Sequence, residues 1–311
     1  MSQRSENMAE LIEGLDQEEK SISPKYFYDE HGSQLFDQIT RLPEYYITET
    51  EIGIMLGNVD EIVALVGAQA SLIEFGSGSS LKTRVLLEHL DKLAVYVPVD
   101  ISEEHLLASA QQIGDEFPDI EVLPVVADFT KNFDLPHPAL MPLRNIVYFP
   151  GSTIGNFRRD AALDLLKVMR HEAKDSGALL IGVDLQKDPD IIESAYNDSE
   201  GVTAAFNVNI LRHLNRDYGA DFDLDNFSHD ARYDPDEGRV VIRLVSGKDQ
   251  VAQLGGRSID IADGEAILTE YSHKYTLEGF AGMAEEAGFR VEKVWTDTNK
   301  LFSVQYLVAI V

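Results

Sequence analysis

Two glycine-containing turns in this chain carry more polar chemistry than a turn needs. The first, EFGSGSSLKT (74–83), ends one apolar run and opens a helical one. Gly76 and Gly78 leave the backbone bare, so a ligand can approach it, and the helix start offers free N–H donors. Asp100 closes the next apolar run, 22 residues after Gly78, where a carboxylate can accept hydrogen bonds from ribose hydroxyls. Asp128 and Phe129 close a third run. An acceptor there can take an adenine amine, and the ring can pack on the base. The glycines alone would also serve plain packing; the three features together suit a nucleoside. Leu81 stands where the dinucleotide fingerprint has its third glycine, and no G-K-[ST] follows as in a P-loop. The second turn, FPGSTIGNF (149–157), holds two glycines, two hydroxyls and an Asn.

These residues need a scaffold that gathers strand ends. Apolar stretches at 70–75, 94–100, 120–129, 145–150 and 177–185 read as strands. Segments with helical spacing lie between them, among them 81–92, a stretch after Ser102 as a helix cap, and 158–174. Successive strand–helix units predict an α/β fold with a Rossmann-like, mostly parallel sheet. The pattern breaks after Asp184. A helix over 202–218, a polar loop over 219–238 and strands at 239–247 and 266–275 follow. The α/β pattern resumes with a helix over 276–289 and a closing hairpin, 290–295 and 301–311. The expected domains are therefore 57–185 with 275–311, and 1–56 with 186–274.

Bulk composition narrows the classes. The 311 residues are 44% hydrophobic and 26% charged, with no Cys and a net charge of −28. Phosphate-backbone binding needs a basic surface, so nucleic acid is not an expected partner. No apolar run is long enough to span a bilayer, and the N-terminus lacks an apolar signal core. A cytoplasmic monomer is the expectation. The eight His residues form no H-E-x-x-H-type constellation, so no metal is expected.

The E-x-G-x-G turn resembles the first motif of class I S-adenosylmethionine methyltransferases, whose fold ends in an antiparallel strand. A narrower resemblance covers nearly the whole chain. SPKYFYDEHGSQLFDQITRLPEYYITETE, EFGSGSSLKTR, FPGSTIGNF, AYNDSEGVTAAFNVNILRHLN and TEYSHKY occur in this order. Together they are similar to the histidine-specific N-methyltransferases of ergothioneine biosynthesis. That family trimethylates the α-amino group of L-histidine to hercynine, using S-adenosyl-L-methionine.

The resemblance implies a role for each matching residue. Gly76, Gly78, Lys82, Asp100, Asp128 and Phe129 would hold the cofactor, with Tyr28 and Phe36 in a covering segment beside Tyr46. Asn156 and Tyr196 would hold the amino-acid end of the substrate, and Gly151 would bring a backbone carbonyl to the amine. Glu270 and Ser272, two apart on a strand and so on one face, would bind the imidazole, with Tyr45 on its other nitrogen. Ile242, Val240 and Phe206 are candidate pocket walls. Plainer roles exist for several: Asn156 as a helix cap, Tyr196 as an interface aromatic, Lys82 as a helix-surface charge, Glu270 and Ser272 as a solvent-facing pair. The competing functions are methylation of another amino acid, a non-catalytic nucleoside-binding relative and a nicotinamide-dependent oxidoreductase. Leu81 and the terminal strand speak against the last.

Overall fold

A computed structural model describes residues 3–78, 81–90 and 92–310. Ser79 and Ser80 of the first turn lie outside them. The chain opens with α1 (Gln3–Leu15), α2 (Glu30–Ile39), α3 (Tyr46–Gly57) and α4 (Val59–Val66). It then alternates through β1 (Ala70–Phe75), α5 (Leu81–Leu87), β2 (Val95–Asp100), α6 (Glu103–Glu116), β3 (Val125–Val126), β4 (Arg144–Phe149), α7 (Arg159–Ala173) and β5 (Ala178–Asp184). Next come α8 (Pro189–Tyr196), α9 (Val202–Tyr218), β6 (Phe227–Asp234), β7 (Arg239–Ser246), β8 (Gln250–Leu254), β9 (Arg257–Ile261) and β10 (Ala266–His273). The chain closes with α10 (Leu277–Glu286), β11 (Phe289–Thr296) and β12 (Phe302–Ala309). It divides into two compact units, 1–46 with 187–273 and 47–186 with 274–311.

The second unit is built on a seven-stranded sheet in the order β11-β12-β5-β4-β1-β2-β3. The first five strands in sequence run parallel, and β12 lies antiparallel between β5 and β11. β1 and β5 are buried along their whole length, as central parallel strands must be, and that is why apolar residues dominate them. α7 packs on β4 and β5 through Ala162, Leu165, Leu166, Met169 and Ala173, a single helical stripe. Truncating Leu166 to Ala would cost about 2–5 kcal/mol, since it is fully buried. β1 continues to β2 on one side and pairs with β4 on the other. The sheet reverses its winding there, which opens a crevice at the strand C-termini.

The third expected strand, 120–129, shrinks to Val125–Val126. It is the edge strand, and Pro124 within it cannot donate to a ladder. Ser102 does precede α6, but its side chain makes no cap bond. Its N–H instead donates to Asp100 Oδ1 at 2.9 Å. The unit also takes in α3 from Ile47 onward, earlier than the expected start at 57.

The first unit carries a three-stranded antiparallel sheet, β10-β7-β6, and the hairpin β8–β9. Its core joins Leu11, Leu15 and Phe27 from the N-terminal segment to Phe206, Ile210, Leu244 and Ile267 from the later one. The polar loop expected over 219–238 contains β6. Only Phe227 and Ala231 of that strand are buried, and its polar outer face hides the alternation. The β8–β9 hairpin was not expected, although Gly255-Gly256 between alternating residues is a hairpin signal.

Candidate active site

In the second unit, the first turn sits at the C-terminal end of β1. Gly76 and Gly78 have φ of +73° and +41°, the left-handed region that glycine adopts freely. A Cβ on Gly78 would meet nothing within 4 Å, and one on Gly76 only the Phe129 ring, at 3.4 Å. The bare turn is therefore a cradle with an aromatic wall. Phe129 is held there by Phe75 and Phe149, with ring centroids 5.7 and 5.9 Å away. Below the turn, Glu74 is buried and accepts hydrogen bonds from Thr83 (2.6 Å) and from the Tyr96 hydroxyl. Burial pushes its carboxyl up to about 7 despite those donors.

Asp100 ends β2, and its carboxyl is raised by burial. A partly desolvated acceptor of this kind gains from a pair of hydroxyl donors. Asp128 differs. Burial raises its carboxyl, but hydrogen bonds from Thr130 and Lys131 outweigh this and hold it below the usual range. The cradle, the ring and the two carboxylates fit a sulfonium nucleoside, which carries no phosphate to neutralise.

The second turn follows β4, the neighbour of β1. Gly151 has φ of +81°, and its N–H donates to both oxygens of Glu51 at 3.1 and 2.9 Å. Lys82, in the first turn of α5, pairs with the same carboxylate at 2.5 Å. Ser152 is left-handed at φ +57°, and its hydroxyl accepts the Asp184 N–H at 2.9 Å. That bond fixes the turn to the end of β5. A short 3₁₀ turn, Thr153–Asn156, then presents Asn156. The position that caps α7 belongs to Arg158, so Asn156 is not the helix cap. A buried ion pair, Lys274–Asp184 at 2.7 Å, braces the same edge.

In the first unit, α8 ends at Tyr196, whose hydroxyl lies 2.7 Å from Ser272 Oγ. Both residues are buried, at 8% and 6% exposure, so Ser272 does not face solvent. Position is imposed on Tyr196 from behind. Asn197 Nδ2 donates to the Ala231 carbonyl at 3.0 Å, and His229 Nε2 lies 2.8 Å from the Tyr196 carbonyl. Asn207 orients that imidazole. Its Oδ1 accepts from Thr269, so its Nδ2 donates to the Arg243 carbonyl and to His229 Nδ1. His229 is therefore neutral with its proton on Nε2. Burial lowers its basicity further, although the Tyr196 carbonyl and nearby Asp230 and Asp198 oppose this. Asp198 accepts the Val202 and Thr203 N–H groups at 2.8 Å each, anchoring the start of α9.

β10 carries a bulge between Leu268 and Glu270. One extra residue there reverses the alternation. Glu270 pairs with Ile242 and Ser272 with Val240, and Ile267 pairs with Leu244 on the same face. Tyr271, beneath Arg239 at 4.2 Å, takes the other face. Glu270 and Ser272 thus share the inner, half-apolar face with two of the expected wall residues. Tyr45 meets Tyr196 edge-on at 6.3 Å and Phe36 at 6.4 Å. Phe36 and Tyr28 both pack against Phe206, at 6.0 and 5.8 Å. Tyr28, Phe36, Phe206, Tyr45 and Tyr196 therefore form one aromatic chain ending at the Tyr196–Ser272 hydrogen bond.

Glu51, His229 and Asn207 had no place in the expected site. For Glu51 a signal existed: Ile47, Thr48, Glu51, Ile54 and Met55 are the buried positions of α3 at helical spacing, so a carboxylate stands on a core stripe. His229 and Asn207 gave no signal, because their partners lie on separate elements. Among the described residues, no group of three or more His, Asp or Glu could hold a metal, and no helix is long and apolar enough to cross a membrane.

Residues 7–309 match the profile of a family described as histidine-specific, SAM-dependent methyltransferases. The chain is 41% identical over 301 residues to the histidine N-alpha-methyltransferase of Mycolicibacterium smegmatis, across 95% of this chain and 92% of that one. It is 37% identical over 294 residues to the enzyme of the same name from Mycobacterium tuberculosis, across 93% and 90%. Among solved structures, mitomycin 7-O-methyltransferase aligns with a TM-score of 0.50 at 11% identity, covering 99% of this chain and 69% of that one. That last likeness is one of fold.

Proposed function

Since this chain belongs to the histidine-specific, S-adenosylmethionine-dependent methyltransferase family, we propose that it trimethylates the α-amino group of L-histidine. The product would be hercynine, a step towards ergothioneine. The observation that carries the substrate assignment is the inner face of β10. Glu270 and Ser272 stand side by side there, opposite apolar Ile242 and Val240, with the Tyr196 hydroxyl on Ser272. A carboxylate and a hydroxyl among apolar walls satisfy an imidazole N–H and leave a purely apolar ring without its polar partners.

The proposed roles divide by chemistry. S-adenosylmethionine would supply a methyl group on a sulfonium: the amine lone pair would bond to that methyl carbon in line as the C–S electron pair leaves on the neutral thioether, S-adenosylhomocysteine. Gly76, Gly78 and Phe129 cradle the nucleoside, Asp100 takes the ribose hydroxyls and Asp128 the adenine amine. Asn156 offers a donor to the substrate carboxylate and an acceptor to the amine, and Gly151 offers its carbonyl to the amine. Tyr196 supports the carboxylate; Glu270, Ser272 and Tyr45 take the imidazole. The chain's main contribution is orientation and exclusion of water, since displacement at a sulfonium needs little acid–base help. The amine must be neutral to attack, so a proton leaves before each transfer. The reaction stops at three methyl groups because no N–H remains.

The test is a panel of the twenty amino acids with S-adenosylmethionine, read by mass spectrometry. Histidine should gain three methyl groups, and tryptophan and phenylalanine should react far more slowly, because their rings do not offer Glu270, Ser272 and Tyr45 the donor and acceptor pair of an imidazole. Equal methylation of the aromatic amino acids would refute the substrate assignment.

A further inference from the structure

Glu51 has no role in that scheme, yet it is a buried carboxylate hydrogen-bonded to the second turn. Its side chain is 1% exposed. A buried carboxylate is tolerated only when it is paired and hydrogen-bonded, and here Gly151 N–H and the Lys82 ammonium meet it. The position is built into the sheet. A Cβ on Gly182 of β5 would stand 2.1 Å from Glu51 Oε1, so glycine is what leaves room for the carboxylate. β1 and β4 are adjacent, about 4.8 Å apart as paired strands are. Lys82 follows the turn of one and Gly151 the turn of the other. The ion pair therefore lies at the crevice that the nucleoside cradle opens onto. An unbalanced ammonium there would repel a sulfonium cation.

We propose that Glu51 balances the charge of Lys82 and so sets the preference of this site for the cationic donor S-adenosylmethionine over its neutral product S-adenosylhomocysteine. Glu51 is a positioning residue: it acts through Lys82 and Gly151. The inference rests on the proposed function. The two ligands differ by one methyl group and one positive charge, so their affinity ratio isolates the electrostatic effect. A unit charge several Å away in a medium of effective dielectric constant about 20 is worth about tenfold or more in affinity.

The experiment is calorimetric titration of both ligands into the wild type, Glu51→Gln, Lys82→Met and the double variant. Relative to S-adenosylhomocysteine, affinity for S-adenosylmethionine should fall about tenfold in Glu51→Gln and rise by a similar factor in Lys82→Met. In the double variant, which has neither charge, the ratio should return to within about threefold of wild type. Equal weakening of both ligands in Glu51→Gln would overturn the proposal and leave Glu51 a purely structural anchor. Should Glu51→Gln not fold, the ratio in Lys82→Met decides, and an unmoved ratio there overturns the proposal. A wild type that binds neither ligand refutes the proposed function as well; binding with an unmoved ratio refutes this inference alone.

Discussion

The Tyr196–Ser272 hydrogen bond joins the end of α8 to the inner face of β10, and a double-mutant cycle measures it. The perturbations are Tyr196→Phe, Ser272→Ala and the pair. At 2.7 Å between two buried hydroxyls, the bond should contribute about 1 kcal/mol net, and removing one partner should cost about 1–3 kcal/mol because the other hydroxyl loses its neighbour. The two losses should not add: a coupling of about 1 kcal/mol is expected in urea unfolding. If the same bond orients the proposed substrate groups, each single variant should lose about 5- to 150-fold in kcat/KM for histidine, at about tenfold per 1.4 kcal/mol. The loss should fall mainly on KM, since these groups bind substrate and transition state alike. Single-variant effects that add within about 0.3 kcal/mol would refute the reasoning, because two hydroxyls in mutual contact cannot act independently.

Three further outcomes follow from the same geometry. Glu270→Ala should lower kcat/KM for histidine and narrow its margin over tryptophan, measured in competition by mass spectrometry; an unchanged margin would separate Glu270 from specificity. Gly151→Ala should cost about 1–2 kcal/mol from its left-handed backbone alone, and its Cβ would stand 3.1 Å from Lys82 Nζ; thermal unfolding and methyl-transfer rate should both decline. His229 is neutral when folded, and burial lowers its basicity, so the unfolded chain takes up a proton first as pH falls. Its contribution to stability should be complete above its ordinary value of about 6.5 and be lost progressively below it. His229→Gln should flatten that part of the stability profile between pH 5 and pH 7.5, read as the difference from wild type in thermal unfolding.

The α/β pattern was legible because parallel strands are buried on both faces. β1, β4 and β5 appear as mostly apolar runs with helical stripes between them. The glycine turn with its downstream Asp100 was legible for a similar reason: strand ends in such a sheet share one edge. β3 was overextended because Pro124 and the edge position shorten a run that looks apolar enough to be longer. β6 was missed because an antiparallel strand with one wet face carries few apolar residues. The equal spacing of Glu270 and Ser272 survived for a reason the sequence does not show: the bulge lies before both, so they remain on one face and that face becomes the inner one.

The sequence by itself determined the fold class, the glycine turn and strand-end carboxylates proposed to hold the nucleoside, and the resemblance that names histidine. These depend on local periodicity and on residue types at fixed spacing. Only the tertiary structure decided which groups answer one another: Glu51 under Gly151 and Lys82, Tyr196 on Ser272, and Asn207 with His229 behind Tyr196. The partners in each set lie 31 to 100 positions apart in the case of Glu51, and 76 in the case of Tyr196 and Ser272. Hydrogen bonds and ion pairs act over about 3 Å, and only chain folding brings such distant positions to that range.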